Sequence, residues 1–236
     1  MLIVLCIVFS VFSVKANEVA GESECDDSRM IQCSSFYPEE DIEKAGMVPN
    51  EEDLNKYCPD LLKMTNCIDS YEEECGQPKE DIFPYFVYEK PVYKEMCNKD
   101  SKLRSLYLQT FDCFKRVEHI MEPCHKKAIS AYKVYNESIS SNEVEAEENY
   151  EPCLEMSYTL GCLGVEILAT CDGEAYKRFL EIENIKESSW LRSYCKQINY
   201  EKEMKTGFLS AIEIEEDHKR IYNEMFELLR LKLERP

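Results

Sequence analysis

The spacing of the cysteines restricts the fold of this chain more than any other feature of its sequence. Two segments, 56–75 and 151–171, each carry three cysteines separated by eight or nine residues. Residues nine apart on an α-helix point in opposite directions, and two cysteines form a disulfide only when their Cα atoms lie within about 7 Å. We therefore expect each segment to form a central helix that is bonded to other elements on two sides. The middle cysteine should face a different neighbour from the two that flank it.

The number of cysteines predicts a disulfide framework. Thirteen are present, and Cys6 lies in an apolar N-terminal segment. The other twelve are an even number, which in a secreted chain indicates six disulfides. Spacing argues against a metal site, because no CxxC pair occurs and the nearest cysteines are eight residues apart. The residues predicted to form disulfides are Cys25, Cys33, Cys58, Cys67, Cys75, Cys97, Cys113, Cys124, Cys153, Cys162, Cys171 and Cys195.

The cysteine intervals also predict an internal repeat. Successive gaps are 8, 25, 9, 8 and 22 residues in the first set of six, and 11, 29, 9, 9 and 24 in the second. We interpret 25–97 and 98–195 as two copies of one six-cysteine helical repeat. Six cysteines allow fifteen pairings, and the sequence does not choose among them.

Residues 1–16 have the features of a secretory signal peptide. The run from Met1 to Val14 is almost entirely apolar, is too short to cross a bilayer, and is not followed by a second apolar run. Val14 and Ala16 occupy the positions that signal peptidase reads, although no basic residue precedes the apolar run. We expect cleavage after Ala16 and an extracellular location, with a membrane anchor as the alternative.

The formal net charge of −19 lies in the cysteine-bearing body, where residues 17–195 contain 19 basic and 38 acidic side chains. Such a surface repels phosphate groups and anionic lipids, so we expect neither nucleic-acid binding nor electrostatic membrane docking. Solubility at high extracellular concentration is a simpler explanation than a basic partner.

Local signals predict an all-α protein. Only seven glycines occur, and no run of alternating polar and apolar residues indicates a strand. Asn50, followed by three acidic residues, predicts the start of a helix, and Gly76 predicts its end. Pro59 predicts a kink or a restart within it.

Two prolines and several aromatic residues make 81–93 the least helical stretch, for which we expect an extended segment over the core or an aromatic-lined loop.

The tail, 196–236, contains a predicted amphipathic helix over 208–233. Its apolar residues recur at helical offsets in two adjacent rows. We expect this stripe to dock on the body of the chain; contact with a partner helix, or self-association with a second copy, is the alternative. Membrane insertion is disfavoured because the polar face is not basic. The stripe consists of Ile221, Tyr222, Met225, Phe226, Leu228, Leu229 and Leu233.

No catalytic, metal or cofactor site is indicated. Three histidines occur (His119, His125 and His218), the cysteines are predicted to be bridged, and recognised hydrolase, phosphate-binding and zinc motifs are absent from the sequence. We therefore expect a protein without enzymatic activity or cofactor. Asn136 begins the one Asn-x-Ser/Thr sequon, where we expect an exposed N-glycosylation site.

A pattern of other residues accompanies the cysteines. It consists of Pro49, Glu52 to Leu54, Tyr57 to Pro59, Leu61, Asn66 to Ile68, Tyr71 and the run Cys97 to Phe114. This pattern resembles that of secreted twelve-cysteine, all-helical domains of unknown function from arthropods and nematodes. The similarity covers about 25–195 and excludes the tail. The resemblance implies an extracellular location and disulfides, and it transfers no active site.

These features favour a secreted binding or carrier protein, whose partner is an apolar small ligand held between helices or an extracellular protein. The alternative is a toxin-like effector of venom or saliva that acts on a host or prey protein. An enzyme without a recognisable motif is the third hypothesis.

Overall fold

The computed structural model describes residues 27–76, 84–140, 151–186 and 207–233, together with Cys25, Cys195 and Ile198. These parts of the chain are helical and contain no strand, so the predicted all-α fold is confirmed. The predicted signal peptide, 1–16, lies outside them. The helices are α1 (Asp27–Ser34), α2 (Glu39–Ala45), α3 (Glu51–Cys75), α4 (Pro84–Cys97), α5 (Lys102–Val117), α6 (Met121–Ser140), α7 (Glu151–Thr170), α8 (Gly173–Ile185) and α9 (Glu216–Leu233), with a 3-10 turn at Glu118–Ile120 and a single turn at Leu209–Ala211.

The chain folds as two units, one reaching to Leu108 and one starting at Gln109, so the division falls within α5. Each unit is arranged around one long helix that carries cysteines. In the first unit α3 packs against α4, α1 and α2, and in the second unit α7 packs against α6, α9 and α8. Both segments that the cysteine spacing identified as central helices therefore occupy that position, and the C-terminal tail belongs to the second unit.

All twelve predicted cysteines form disulfides, and each disulfide lies within one unit. No bond joins two cysteines of the same helix, as the spacing required. In both units the first cysteine pairs with the fifth, the second with the fourth and the third with the sixth. The pairs are Cys25–Cys75, Cys33–Cys67 and Cys58–Cys97 in the first unit, and Cys113–Cys171, Cys124–Cys162 and Cys153–Cys195 in the second.

The expectation for the middle cysteine holds in α7 and is wrong in α3. In α7, Cys162 is bonded to α6, whereas its flanking cysteines are bonded to other parts of the chain. In α3, Cys67 and Cys75 are both bonded to the N-terminal segment, at Cys33 and Cys25. An interval of eight residues turns the helix by only about 80° from the starting direction, so these two sulfurs point towards the same side.

The ends of α3 follow the sequence signals. The Asn50 side chain accepts a hydrogen bond from the Asp53 backbone at 3.0 Å, and the Asp53 carboxylate accepts one from the Asn50 backbone at 3.1 Å. This reciprocal pair is a capping box. Gly76 ends the helix with a φ of 80°, in the left-handed region that glycine favours. Pro59 lies inside the helix, which continues through it to Cys75.

The expectation of an extended segment or loop over 81–93 is wrong for the part that the structure describes. Helix α4 begins at Pro84 and passes through Pro91 to Cys97. Proline suits the first position of a helix, because its missing N–H would have no helical partner there. Contacts with α3 stabilise α4 against the backbone hydrogen bond that Pro91 cannot form. The Lys90 ammonium lies 2.9 Å from Asp69 and 2.5 Å from Glu72 on α3. Residues 81–83 lie outside the described range.

The C-terminal stripe docks within its own unit, as the first alternative predicted. The stripe residues Ile221, Tyr222, Met225, Phe226 and Leu229 are buried, and α9 packs on α7 and α8. The long helix begins at Glu216, not at Phe208, because residues 213–215 leave the helix after the short turn at Leu209–Ala211. Self-association through 208–233 stays a prediction, and it would need a face of α9 that points away from α7.

Two glycines of α7 allow this close approach. An added Cβ on Gly161 would lie 2.4 Å from the Tyr222 ring, and one on Gly164 would lie 3.0 Å from the Ile221 side chain. Real Cβ atoms do not approach that closely, so the α9 side chains occupy the volume that larger residues would need. The Tyr176 hydroxyl on α8 donates a hydrogen bond to Glu224 on α9 at 2.7 Å.

We predict that Gly161→Ala destabilises the second unit. Overpacking a well-packed site costs about 1–3 kcal/mol, which exceeds the roughly 0.5–1 kcal/mol that alanine gains over glycine in a helix. Chemical unfolding of the oxidised protein should show a lower midpoint.

Gly173→Ala is the matched control, because an added Cβ there meets no atom within 4 Å. Its stability should equal or slightly exceed that of the native chain. Equal midpoints for Gly161→Ala and the native chain would contradict close packing of α9 on α7.

Candidate functional site

Four tyrosines and an arginine meet around the first half of α3 in the first unit. We call Tyr37, Tyr57, Tyr93 and Tyr107 the tyrosine cluster. Tyr57, Tyr93 and Tyr107 are buried and Tyr37 is half-buried. The rings of Tyr37 and Tyr93 have centroids 6.4 Å apart at a tilt of 56°. Helices α3, α4 and α5 and the connection between α1 and α2 each contribute one ring, so the fold assembles the cluster from distant parts of the sequence.

Arg104 fixes three helices at the edge of the cluster. It is 2 % exposed, although it is charged. One guanidinium nitrogen donates to the Met96 carbonyl at 3.0 Å, near the end of α4, and another donates to the Asn55 side chain on α3 at 2.9 Å. Ser101 accepts from the Arg104 backbone at 3.0 Å and donates to the Glu95 carbonyl at 2.6 Å. Buried charge is tolerated when its donors are hydrogen-bonded in this way.

The Tyr107 hydroxyl is also engaged. It donates a hydrogen bond to the Pro49 carbonyl at 2.6 Å, immediately before the N-cap of α3. The bond connects α5 to the start of the central helix and satisfies a buried phenol. Arg104 and Tyr107 are three residues apart on α5, so both project from one face of that helix.

The Tyr57 hydroxyl differs from Arg104 and Tyr107. The residue is 1 % exposed, and its buried hydroxyl has no hydrogen-bond partner among the described residues. Burial raises the pKa of Tyr57, the neighbouring Tyr107, Asp53 and Tyr37 raise it further, and Arg104 lowers it. The phenol is therefore neutral at physiological pH and offers one hydrogen-bond donor and two acceptor positions. A neutral phenol in a buried aromatic setting can bind a polar atom, and it is poorly suited to act as a base.

A second unusual group is Glu155 on α7 in the second unit. Burial, and then the negative charge of Glu151, raises the pKa of Glu155 from 4.5 to about 7. Burial and then the two carboxyl groups raise the pKa of the half-buried Tyr132 on α6. A perturbed carboxyl group is a feature of active sites, but no histidine or cation acts on Glu155 in the described parts of the unit.

The other residues singled out in the sequence lie apart from these groups. His119 is exposed in the 3-10 turn, and His125 is half-buried in the first turns of α6, where burial lowers its pKa. Asn136 lies within α6 and is half-buried, which differs from the exposed position that we expected. The Ser138 hydroxyl of its sequon donates to the Tyr135 carbonyl at 2.6 Å. Glycosylation of Asn136 stays a prediction.

The sequence analysis missed Tyr57 and Arg104. One signal was available for the arginine, since Arg104 falls between Leu103 and Tyr107 on the apolar face of α5. A charged residue in such a position indicates a buried polar contact. Tyr57 gave no comparable signal, because a tyrosine beside a cysteine in a core helix is ordinary.

Comparison with known proteins found no match among family models, curated proteins or solved structures. The resemblance to secreted twelve-cysteine domains therefore stays a prediction.

None of the described helices combines the length and the hydropathy needed to cross a membrane. In the same residues, no three His, Cys, Asp or Glu side chains are grouped to hold a metal ion. Six disulfides are typical of an extracellular protein.

We predict that Tyr57→Phe stabilises the ligand-free protein. Burying a hydroxyl without a hydrogen bond costs about 1–3 kcal/mol, and phenylalanine keeps the ring while removing that group. Tyr107→Phe is the matched control, and it should lower the free energy of unfolding by about 1 kcal/mol because the bond to Pro49 is lost. Denaturant titration measures both variants. A stability loss in Tyr57→Phe similar to that of Tyr107→Phe would show that the Tyr57 hydroxyl is already bonded.

We predict that Glu155 makes stability depend on pH. Its pKa is higher in the folded protein, so the folded state retains a proton that the unfolded chain releases. The stability that this proton contributes is complete below pH 4.5 and is lost as the pH rises through about 7. Glu155→Gln should therefore match the native chain at pH 4 and exceed its unfolding midpoint at pH 8. Glu151→Gln removes the second cause of the shift and should give a smaller gain at pH 8 than Glu155→Gln, because burial still raises the pKa of Glu155. A constant difference between native and Glu155→Gln proteins across this range would contradict the assignment.

Proposed function

We propose that this chain is a secreted, non-enzymatic binding or carrier protein that holds a small apolar ligand between its helices. The observation that carries the proposal is the tyrosine cluster of the first unit. Aromatic rings surround a buried hydroxyl that the described residues leave without a hydrogen-bond partner. Ligand sites in helical proteins combine an apolar lining with a few polar groups that orient the ligand.

The signal-like N-terminus and the disulfides support secretion. Six disulfides contribute typically about 2–4 kcal/mol each under oxidising conditions, which preserves the fold outside the cell. The acidic body supports solubility there and gives no attraction to phosphate groups or anionic lipids.

We further infer that the two units are copies of one six-cysteine design. Six cysteines can pair in fifteen ways, so the same order would occur by chance in about one case in 15. Both units also have a central helix marked by three cysteines: α3 contains all three, and α7 contains Cys153 and Cys162 and is followed directly by Cys171. The tail, and the groove over Gly161 and Gly164 that receives it, distinguish the second unit from the first.

A toxin-like effector that acts on a host or prey protein is the second candidate. The same disulfide framework supports it, and the tissue of expression separates the two. Restriction to a venom or salivary gland favours the effector, and expression in fat body or gut favours the carrier.

We predict that the oxidised full-length protein binds a neutral, environment-sensitive naphthalene fluorophore saturably. Emission should rise to a plateau and fall when an unlabelled apolar compound is added. The control is the same protein after complete thiol reduction in denaturant, which should give no saturable signal. A linear, non-saturable response of the native protein would contradict the carrier function.

Mass spectrometry of native protein from its source provides an independent measurement. A small apolar molecule that co-purifies and is released by organic solvent supports the proposal.

A further inference from the structure

We propose that the Tyr57 hydroxyl is the polar contact of an internal ligand site in the first unit, and that its ligand is a small apolar molecule with one uncharged oxygen. The inference rests on the proposed binding function and specifies the site and chemical class.

The hydroxyl points to a ligand because the two polar side chains of α5 beside it, Arg104 and Tyr107, are bonded within the protein and do not use it. Arg104 is bonded to Met96 and Asn55, and Tyr107 is bonded to Pro49. On the next turns of the central helix, the buried Thr65 donates to the Leu62 carbonyl at 3.0 Å. The Tyr57 hydroxyl, on a residue that is 1 % exposed, has no hydrogen-bond partner among the described residues and is therefore available to a partner from outside the chain.

The surroundings define an apolar ligand. The rings of Tyr93 and Tyr107 are almost fully buried, at 2 % and 1 % exposure. Tyr37 packs on Tyr93 and is the partly exposed member of the cluster. A molecule that contacts Tyr57 therefore meets aromatic side chains.

The charges nearby exclude an ionised ligand. Asp53 lies close enough to raise the pKa of Tyr57, so an anionic head group would be repelled. Arg104 lowers this pKa but is the smallest of the influences on it, and two of its nitrogens already donate to the Met96 carbonyl and the Asn55 side chain. A cation would compete with the capping bond that the Asp53 carboxylate accepts from the Asn50 backbone. An alcohol, phenol or ketone oxygen remains, and it is a suitable partner for a neutral phenol.

The test uses the oxidised full-length protein and two fluorinated probes that differ by one hydroxyl. 4-(Trifluoromethyl)benzyl alcohol carries the required oxygen, and 4-(trifluoromethyl)toluene lacks it. Fluorine NMR measures the affinity of each probe for the native chain, for Tyr57→Phe and for Tyr71→Phe. Tyr71 is the matched control, a buried tyrosine on the same helix whose ring faces Arg29.

We expect Tyr57→Phe to weaken the alcohol about tenfold and to leave the toluene unchanged, because one hydrogen bond is lost. Tyr71→Phe should bind both probes as the native chain does. Circular dichroism confirms that each variant is folded.

Equal effects of Tyr57→Phe on the two probes, or no effect on either, would overturn the inference. Failure of both probes to bind the native chain would overturn it as well, and would leave a water molecule as the partner of the hydroxyl. Saturable uptake of the naphthalene fluorophore that is insensitive to Tyr57→Phe would retain the proposed function and reject this site. Loss of all saturable binding, by every probe, would reject both.

Discussion

The covalent attachment of two central helices is the constraint on which the rest of the structure depends. Helix α3 is bonded at Cys58, Cys67 and Cys75 to segments that precede and follow it. Helix α7 is bonded at Cys153 and Cys162, and Cys171 forms a third disulfide directly after its last residue. A disulfide acts mainly by restricting the unfolded chain, so these bonds stabilise the arrangement without requiring a large apolar core. The core can then include buried tyrosines and an arginine that a small unbridged domain would tolerate poorly.

The two units use corresponding positions of their central helices differently. When Cys67 is aligned with Cys162, Gly161 corresponds to Asn66 and Gly164 to Asp69. Asn66 is exposed, and Asp69 forms ion pairs with Lys90 and Lys94 of α4. The same helix face therefore forms polar contacts in the first unit and admits α9 in the second. No cysteine follows Cys195, so α9 is held by packing and by the bond between Tyr176 and Glu224.

Cysteine number, helix caps and helical periodicity predicted much of the fold, because each depends on local chemistry. Asn50 caps the start of α3 with its side chain, and Gly76 ends the helix with a positive φ that glycine adopts readily. Proline misled the prediction at 81–93, since ion pairs and the Cys58–Cys97 bond hold α4 helical through Pro91. The pairing order was not predictable, because it depends on which helices become neighbours. The tyrosine cluster was hidden for the same reason, as its members come from four separate segments.

The Tyr57 hydroxyl lowers the stability of the folded protein, yet tyrosine and not phenylalanine occupies this buried position. Phenylalanine would fill nearly the same volume without burying an unbonded polar group, and an unbonded hydroxyl is a net cost to the folded state. The disulfides make such a cost tolerable, since a single bond of typically about 2–4 kcal/mol exceeds it. Tolerance alone does not supply a role, whereas a ligand oxygen that bonds the hydroxyl converts the same desolvated group into binding affinity. A pre-desolvated donor favours a ligand with a matching oxygen over one without it, because only the matching ligand removes the cost.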